Sequence, residues 1–247
     1  IQGLIADAAL ADRIEAVGDR LKTVPLKILV GGRRPGWTSW DEADGYPDSF
    51  APAFPTYSTD PCLMYFTSGT TAHPKIVVHT HASYPVGHLV TMAWIGLQPS
   101  DLHFNISAPG WGKHAWSSFF APWNAGATVF LSQYDRFDAG RALDQIARFR
   151  VTTLCAPPTV WRRFLQEDLS GRRFALRQLV SAGEPLNQEI IARVRQATGV
   201  DIREGYGQTE TVLQIGCFPG MRVKPGAMGK TAPGFEARVV GPDLRPV

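Results

Sequence analysis

The sequence has few cysteines, no long apolar run and no signal-peptide pattern, and each absence excludes a class of protein. Cys62, Cys155 and Cys217 are far apart in 247 residues, without the CxxC pair or Cys/His cluster of a zinc site. We therefore expect buried free thiols in a reducing compartment. No stretch approaches the roughly eighteen uninterrupted apolar residues of a membrane span. These features predict a cytoplasmic protein without a membrane span.

Charge is also sparse. Charged residues make up 19% of the chain and the formal net charge is +3, without a basic stretch that would follow a nucleic acid. Hydrophobic residues make up 44%, enough to bury a substantial core in one large domain or two smaller lobes. We expect a globular protein that binds no nucleic acid.

Residues 65–78 read YFTSGTTAHPKIVV, a hydroxyl-rich turn between two apolar runs that we predict to be buried strands. Such a turn offers backbone N–H groups, hydroxyls and one ammonium, the donors that hold a polyphosphate. A Walker-type loop needs glycine before its lysine and Ser or Thr after it, whereas Pro74 precedes Lys75 and Ile76 follows it. No GxGxxG opens a helix after a strand either, so the Rossmann fingerprint is absent.

The predicted elements alternate, which indicates an α/β fold with parallel strands. Helical patterns cover residues 4–22, 82–97, 138–149 and 187–198, with Asp138 as an N-cap and Gly199 as a stop. Apolar runs at 26–32, 103–107, 128–131, 151–156, 176–183 and 200–207 predict strands. A surface connection is expected over 35–61. In the second helix, the residues expected to be buried are Val86, Leu89, Val90 and Met92.

Three polar loops, TSGTTAHPK, SAGEPL and GYGQTE, follow predicted strands. Because loops at the carboxyl ends of parallel strands carry the site in such folds, we expect these loops to converge. TSGTTAHPK resembles the phosphate-binding loop of the adenylate-forming superfamily, which includes acyl-CoA synthetases and luciferases. GYGQTE resembles its second signature and SAGEPL its adenine-side segment. Within that superfamily, APGWGKHAW, CAPPTVWRRFLQEDL and EGYGQTETV most resemble the medium-chain and short branched-chain acyl-CoA synthetases.

The resemblance covers nearly the whole chain from about residue 60 onward, and the earlier part more loosely. It implies mixed, largely parallel sheets flanked by helices. Subdomains are expected over 1–88 and 89–215, with the start of a small β-barrel segment at 216–247. It also implies that the mobile C-terminal domain with the adenylation lysine, and the ribose-binding aspartate, lie outside these residues. Both ends of the chain look cut from something longer.

The reaction that the resemblance implies is that of an acid–thiol ligase. A carboxylic acid and ATP, with Mg²⁺, give an acyl-adenylate and pyrophosphate, and coenzyme A then displaces AMP. In the phosphate loop, Ser68, Thr70 and Thr71 would bind the β- and γ-phosphates beside Thr67. Gly69 would allow close backbone approach and Lys75 would add charge.

The other two loops would hold the rest of the nucleotide. Tyr206 would pack on the adenine, Thr209 would bind the α-phosphate and Glu210 would ligate magnesium. The rest of that loop is Gly205, Gly207 and Gln208. Backbone groups of Gly183, Glu184 and Pro185 would line the adenine. The resemblance thus names Thr209, Glu210 and Lys75 as catalytic.

The acid would bind between APGWGKHAW and CAPPT. By resemblance, its pocket is edged by Trp111, Gly112 and Lys113, and its floor and walls are Ala156, Pro157, Thr159 and Gly205. The alternative is that Trp111 is a core residue. Lys113 would either extend to solvent or limit the depth of the pocket. We expect a short or medium, branched or aromatic acid.

Several points stay open at this stage. Ala72 stands where members of the superfamily usually carry glycine, and alanine disfavours positive φ. His79, in the sequence HTH, is either a neighbour of the active site or a packed strand end, and no metal-binding spacing surrounds it. The chain is expected to be inactive alone. The alternative function is a non-catalytic nucleotide- or acyl-binding module, and the choice between a monomer and a homodimer stays open.

Overall fold

The computed structural model describes residues 2–67, 74–134 and 136–247, which divide into two units, Ile1–Pro55 and Thr56–Val247. The predictions made for Ser68, Gly69, Thr70, Thr71 and Ala72 therefore lie outside the described residues. The subdomain boundaries predicted at residues 88 and 215 stay predictions.

The first unit is built on a three-stranded parallel sheet in the order β1-β2-β3. Its strands are β1 (Gly3–Asp7), β2 (Leu26–Val30) and β3 (Thr38–Ser39). Helical structure is limited to α1 (Ala11–Glu15) and the 3-10 turns Ala8–Leu10, Gly18–Leu21 and Trp40–Gly45. The continuous helix predicted over 4–22 is wrong at its start, because the backbone of Gly3–Asp7 pairs with β2 and this pairing overrides the local helical pattern.

The second unit contains a seven-stranded sheet in the order β12-β11-β10-β9-β8-β6-β7. Its strands are β6 (Leu102–Asn105), β7 (Thr128–Phe130), β8 (Thr153–Cys155), β9 (Gln178–Ala182), β10 (Ile202–Gly207), β11 (Leu213–Gly216) and β12 (Lys230–Thr231). The pairs from β10 to β7 are parallel, and β11 and β12 add an antiparallel edge. The predicted mixed, largely parallel α/β sheet flanked by helices is confirmed.

Helices cover both faces of this sheet. They are α2 (Ser83–Ile95), α3 (Gly112–Ala115), a π-helical turn (Trp116–Phe120), α4 (Ala121–Asn124), α5 (Ala139–Arg148), α6 (Pro158–Phe164) and α7 (Gln188–Thr198). The predicted caps are present: the Asp138 side chain accepts from the Arg141 N–H at 2.7 Å, and Gly199 ends α7 at φ +76°.

The core lies on both sides of the sheet, and neighbouring strand residues alternate between the two sides. Leu179 packs in a cluster with side chains of α5, α6 and α7, whereas Val180 packs with Trp94 and Ile95 of α2. The central strands β8 and β9 are thus buried on both faces, as expected for parallel strands joined by helices.

The strands that flank the predicted phosphate loop, β4 (Pro61–Thr67) and β5 (Lys75–Thr80), form a separate two-stranded antiparallel hairpin. The expectation that both are buried is wrong. Met64, Phe66, Ile76 and Val78 are between 49% and 73% exposed, because the hairpin packs on α2 through one face only.

The buried face of α2 also differs from the prediction. Val86 and Leu89 are exposed, whereas Val90 and Met92 are half-buried against the cluster of Trp94 and Ile95, as expected. The fully buried positions include Tyr84, His88 and Thr91, which were not predicted. The buried face of α2 thus includes polar side chains, so it cannot be identified from the apolar residues alone.

Residues after Gly216 contribute β12 and an isolated bridge between Val240 and Pro246. The predicted start of a small barrel in this segment stays a prediction. Cys155 and Cys217 are buried and Cys62 is half-buried, all as free thiols. Within residues 2–67, 74–134 and 136–247, no helix has the length and apolar character needed to cross a membrane.

Candidate nucleotide and acyl site

The second unit has a cavity of about 580 Å³ at the carboxyl ends of β9 and β10. It brings together SAGEPL, GYGQTE, the GWGK turn and the last residue of β4. The predicted site residues that line it are Thr67, Trp111, Gly112, Lys113, Pro157, Gly183, Glu184, Gly207, Gln208, Thr209 and Glu210. Segments far apart in sequence therefore meet at one cavity.

Other predicted residues do not belong to this lining, among the residues that the structure describes. They are Lys75, Ala156, Thr159, Pro185, Gly205 and Tyr206. Gly205 lies beneath the cavity, where a Cβ would fall 2.6 Å from both Leu213 and the indole of Trp94. Its role is to admit the Trp94 ring, which donates from Nε1 to the Glu204 carbonyl at 3.2 Å.

SAGEPL, the loop predicted to line the adenine, is held by two hydrogen bonds. Glu204, on β10 and 8% exposed, accepts the Leu186 N–H at 2.9 Å. Burial raises the pKa of Glu204, and the Leu186 N–H opposes that shift. The Lys113 ammonium donates to the Ala182 carbonyl at the end of β9. Gly183 follows at φ +108°, a conformation that favours glycine.

Lys113 is therefore turned inward against the wall of the cavity. A Cβ on Gly183 would lie 3.2 Å from its Nζ, so the glycine also leaves room for the ammonium. Burial lowers the pKa of Lys113, while Cys155 and Glu184 raise it. Trp111 is 72% exposed, which excludes the alternative that it is a core residue.

GYGQTE begins in β10 and leaves the sheet at an irregularity between Tyr206 and Gly207. His79 Nε2 lies 2.7 Å from the carbonyl oxygen of Thr209. His79 thus contacts a loop of the candidate site and is also a packed strand residue, 6% exposed, so both alternatives left open by the sequence hold. Glu210 is exposed on the cavity rim.

The rim suits a magnesium ion held mainly by a nucleotide. Within the described residues, no group of three or more His, Cys, Asp or Glu side chains is placed to hold a metal. Mg²⁺ is commonly bound through one or two carboxylates plus substrate phosphates and water, so a single exposed carboxylate such as Glu210 fits that role.

Sequence reasoning missed the deep end of the cavity, which α2 supplies. Tyr84, His88, Thr91 and Trp94 line it from this helix. His88 Nδ1 lies 3.0 Å from Thr91 Oγ1, and burial lowers the pKa of His88 to about 3, so its ring is neutral at physiological pH. The signal was present in the sequence, because His88 and Thr91 are polar residues three apart in a helix that is largely apolar after Ser83.

A largely parallel sheet with polar loops meeting at its carboxyl edge is typical of α/β proteins that bind ligands there, nucleotides among them. The chain belongs to the family of AMP-binding enzymes, whose family model matches residues 2–247.

Named relatives agree with this assignment. The chain is 41% identical over 240 residues to the mitochondrial acyl-coenzyme A synthetase ACSM3 of Mus musculus, covering 96% of this chain and 41% of that protein. It is 44% identical over 239 residues to 4-hydroxybutyrate–CoA ligase 1 of Metallosphaera sedula, with the same shares covered. The chain thus spans about 41% of the length of these relatives.

A solved structure shows the same fold. The anthranilate CoA ligase AuaEII, in complex with anthranoyl-AMP, superposes with a TM-score of 0.87 at 30% identity, over 100% of this chain and 48% of that one. The predicted membership of the adenylate-forming superfamily is confirmed.

Proposed function

We propose that the full-length protein is an ATP-dependent carboxylic acid:CoA ligase that works through an acyl-adenylate. The observation that carries this proposal is the single cavity shared by the adenine-side loop, GYGQTE and the GWGK turn. The cavity has a polar wall, formed by the SAGEPL and GYGQTE loops, and an aromatic wall, which contains Trp94, Trp111 and Trp116. The printed activities of the relatives, acyl-CoA synthetase and CoA ligases, support the same reaction class.

ATP would lie along the polar wall. Thr209 and Glu210 line the cavity beside Thr67, so a nucleotide there could place its α-phosphate near Thr209 and share a magnesium ion with Glu210. When bound, the ion would neutralise charge on the phosphates. Lys75 begins β5, directly after the predicted phosphate loop, and would contribute charge on the pyrophosphate side. Coenzyme A would be the second co-substrate.

The acid would occupy the aromatic wall, near Trp94, Trp111 and Trp116. A cavity of about 580 Å³ that must also admit part of a nucleotide leaves room for a short or medium acid. Flat or branched acids suit aromatic walls better than long flexible chains, because they bury compact apolar surface. The names of two relatives, a 4-hydroxybutyrate ligase and an anthranilate ligase, are consistent with a small acid.

The test uses the full-length gene product with straight C2 to C10, branched and benzoic acids, assayed by pyrophosphate release and by thioester formation. We expect acid-dependent pyrophosphate release that is strongest for a short or medium, branched or aromatic acid. An equal response to all acids would remove the substrate proposal. No release with any acid, together with retained Mg·ATP binding, would favour the non-catalytic binding module instead.

A calorimetric titration with Mg·ATP separates the nucleotide proposal from a structural role for the loop. Lys75→Ala should weaken binding, since the ammonium would pair with phosphate. Lys22→Ala, which removes an exposed lysine paired with Asp19, is the matched control and should bind as the parent does. A cytoplasmic location, a homodimer and the inactivity of these 247 residues alone stay predictions.

A further inference from the structure

His79 connects the hairpin of the predicted phosphate loop to the GYGQTE loop. Its Nε2 lies 2.7 Å from the Thr209 carbonyl oxygen, across 130 positions of sequence. A carbonyl can only accept, so Nε2 must carry the hydrogen and donate it. The bond is short and the histidine is only 6% exposed, so water does not readily replace it.

The histidine is itself held firmly. It lies in β5, paired with Leu63 across the hairpin. Its ring packs against Tyr84 at a centroid distance of 4.7 Å and meets the edge of Tyr65 at 6.1 Å. The Tyr65 hydroxyl donates to the Tyr84 hydroxyl at 3.1 Å, which fixes these two rings against each other. The imidazole thus has a defined position before any ligand binds.

The Thr209 carbonyl that His79 holds belongs to the peptide unit leading into Glu210. Holding this peptide restricts both the Thr209 side chain and the approach of the Glu210 carboxylate to the cavity. On the other side, β5 begins at Lys75, so His79 lies on the strand that carries the predicted phosphate lysine. This hydrogen bond therefore restricts the position of the hairpin relative to the loop that would hold the α-phosphate and magnesium.

We propose that His79 is a positioning residue for adenylation. By donating from Nε2 to the Thr209 carbonyl, it fixes the position of Thr209 and Glu210 relative to the strand that begins at Lys75. The inference rests on the proposed ligase function. His79 contacts neither nucleotide nor acid in this role and transfers no proton. A positioned group contributes to the rate only when its geometry is maintained, so the effect should appear mainly in kcat for adenylation.

The test compares His79→Gln with His79→Leu in the full-length protein. Glutamine places an amide N–H near the position of Nε2, whereas leucine keeps bulk and removes the donor. We expect His79→Leu to lower kcat of acid-dependent ATP–pyrophosphate exchange about tenfold, the effect of one short hydrogen bond. His79→Gln should stay within about threefold of the parent, with little change in KM for the acid in either variant.

A second readout does not depend on activity. Hydrogen exchange of the amides of residues 207–211 should become faster in His79→Leu and stay near the parent rate in His79→Gln. His81→Leu, at an exposed histidine beside the same strand, is the matched control and should change neither readout.

The outcomes separate the two proposals. Exchange activity in the parent that is unchanged in His79→Leu would overturn the positioning role while leaving the ligase function intact. Equal damage in the Gln and Leu variants, with a common loss of thermal stability, would also overturn it, because packing alone would then explain the effect. If the parent shows no activity with any acid, the ligase function fails, and the amide exchange rates alone decide whether His79 holds the loop.

Discussion

The strands of the central sheet and the strands of the hairpin look alike in sequence and behave differently in the fold. LVSA in β9 and LMYF in β4 are both short apolar runs. Leu179 and Val180 are fully buried on opposite faces of the sheet, whereas Met64 and Phe66 are 59% and 73% exposed. An apolar run therefore indicates a strand, but the number of layers packed on that strand is decided by the helices around it.

The same difference organises the candidate site. SAGEPL and GYGQTE extend from neighbouring, fully packed strands, β9 and β10, which are paired in parallel. Lys75 and Thr67 instead lie on the hairpin, one face of which is exposed. The hairpin contacts the GYGQTE loop through the hydrogen bond from His79 to the Thr209 carbonyl. The loops predicted to hold the adenine thus extend from strands buried on both faces, whereas the residues predicted to hold the phosphates lie on a hairpin that is exposed on one face.

The largest expected effect on stability comes from a cavity-forming substitution in the core of the central sheet. Leu179→Ala removes a fully buried side chain from the cluster formed with α5, α6 and α7. We expect the free energy of unfolding to fall by about 3 kcal/mol, from lost burial and the cavity left behind. Urea denaturation of this chain measures it. Val86→Ala on the exposed face of α2 is the control, with a change below about 0.5 kcal/mol.

A smaller loss is expected where β10 passes beneath the cavity. Gly205→Ala would place a methyl group 2.6 Å from the Trp94 ring and from Leu213, both packed in the core. Overpacking of this kind should cost about 2 kcal/mol. Gly45→Ala, where a Cβ meets nothing within 4 Å, should be nearly neutral. If Gly205→Ala left the free energy of unfolding unchanged in the same urea experiment, the Trp94 ring must be able to shift. The central sheet would then be less rigidly packed beneath the cavity than its buried strands suggest.

Acid pH should weaken the packed region through its buried histidines. Burial lowers the pKa of His88 to about 3 and that of His103 to about 4, below the ordinary value of 6.5. Below pH 6.5 the unfolded chain therefore binds more protons than the folded one, and stability falls as the pH drops towards these values. At pH 5.5 each histidine should cost about 1 kcal/mol relative to pH 7.5.

The measurement is the difference between urea midpoints at pH 7.5 and 5.5. His88→Gln removes one titrating group and should reduce that pH-dependent loss, whatever it does to stability at pH 7.5. An undiminished loss in His88→Gln would show that other groups cause it.

The elements and the site were not equally predictable from sequence. Asp138 caps α5 by a local hydrogen bond and Gly199 ends α7 at positive φ, and both were predicted because such signals depend only on neighbouring residues. The convergence of SAGEPL and GYGQTE could be predicted because both loops follow strands of an alternating strand–helix pattern, and the carboxyl ends of parallel strands meet at one edge of the sheet. The role of α2 could not be predicted in the same way. Its buried face depends on tertiary contacts with the hairpin and on the cavity, and it includes the polar residues His88 and Thr91. Strand β1 was missed for a related reason, since its partner β2 lies about twenty residues further along the chain.

The smallest expected effect is on the open face of the hairpin. Phe66→Thr keeps a good strand former and removes a side chain that is 73% exposed, so the free energy of unfolding should change by less than about 0.5 kcal/mol. Tyr65→Thr, on the adjacent inward-facing position, removes the ring that packs on Tyr84 and His79 and should cost several times more. Urea midpoints of the two variants, measured side by side, give the ratio. If Phe66→Thr were as costly as Tyr65→Thr, the outer face of the hairpin would have to be packed, and the contrast with the central sheet would disappear.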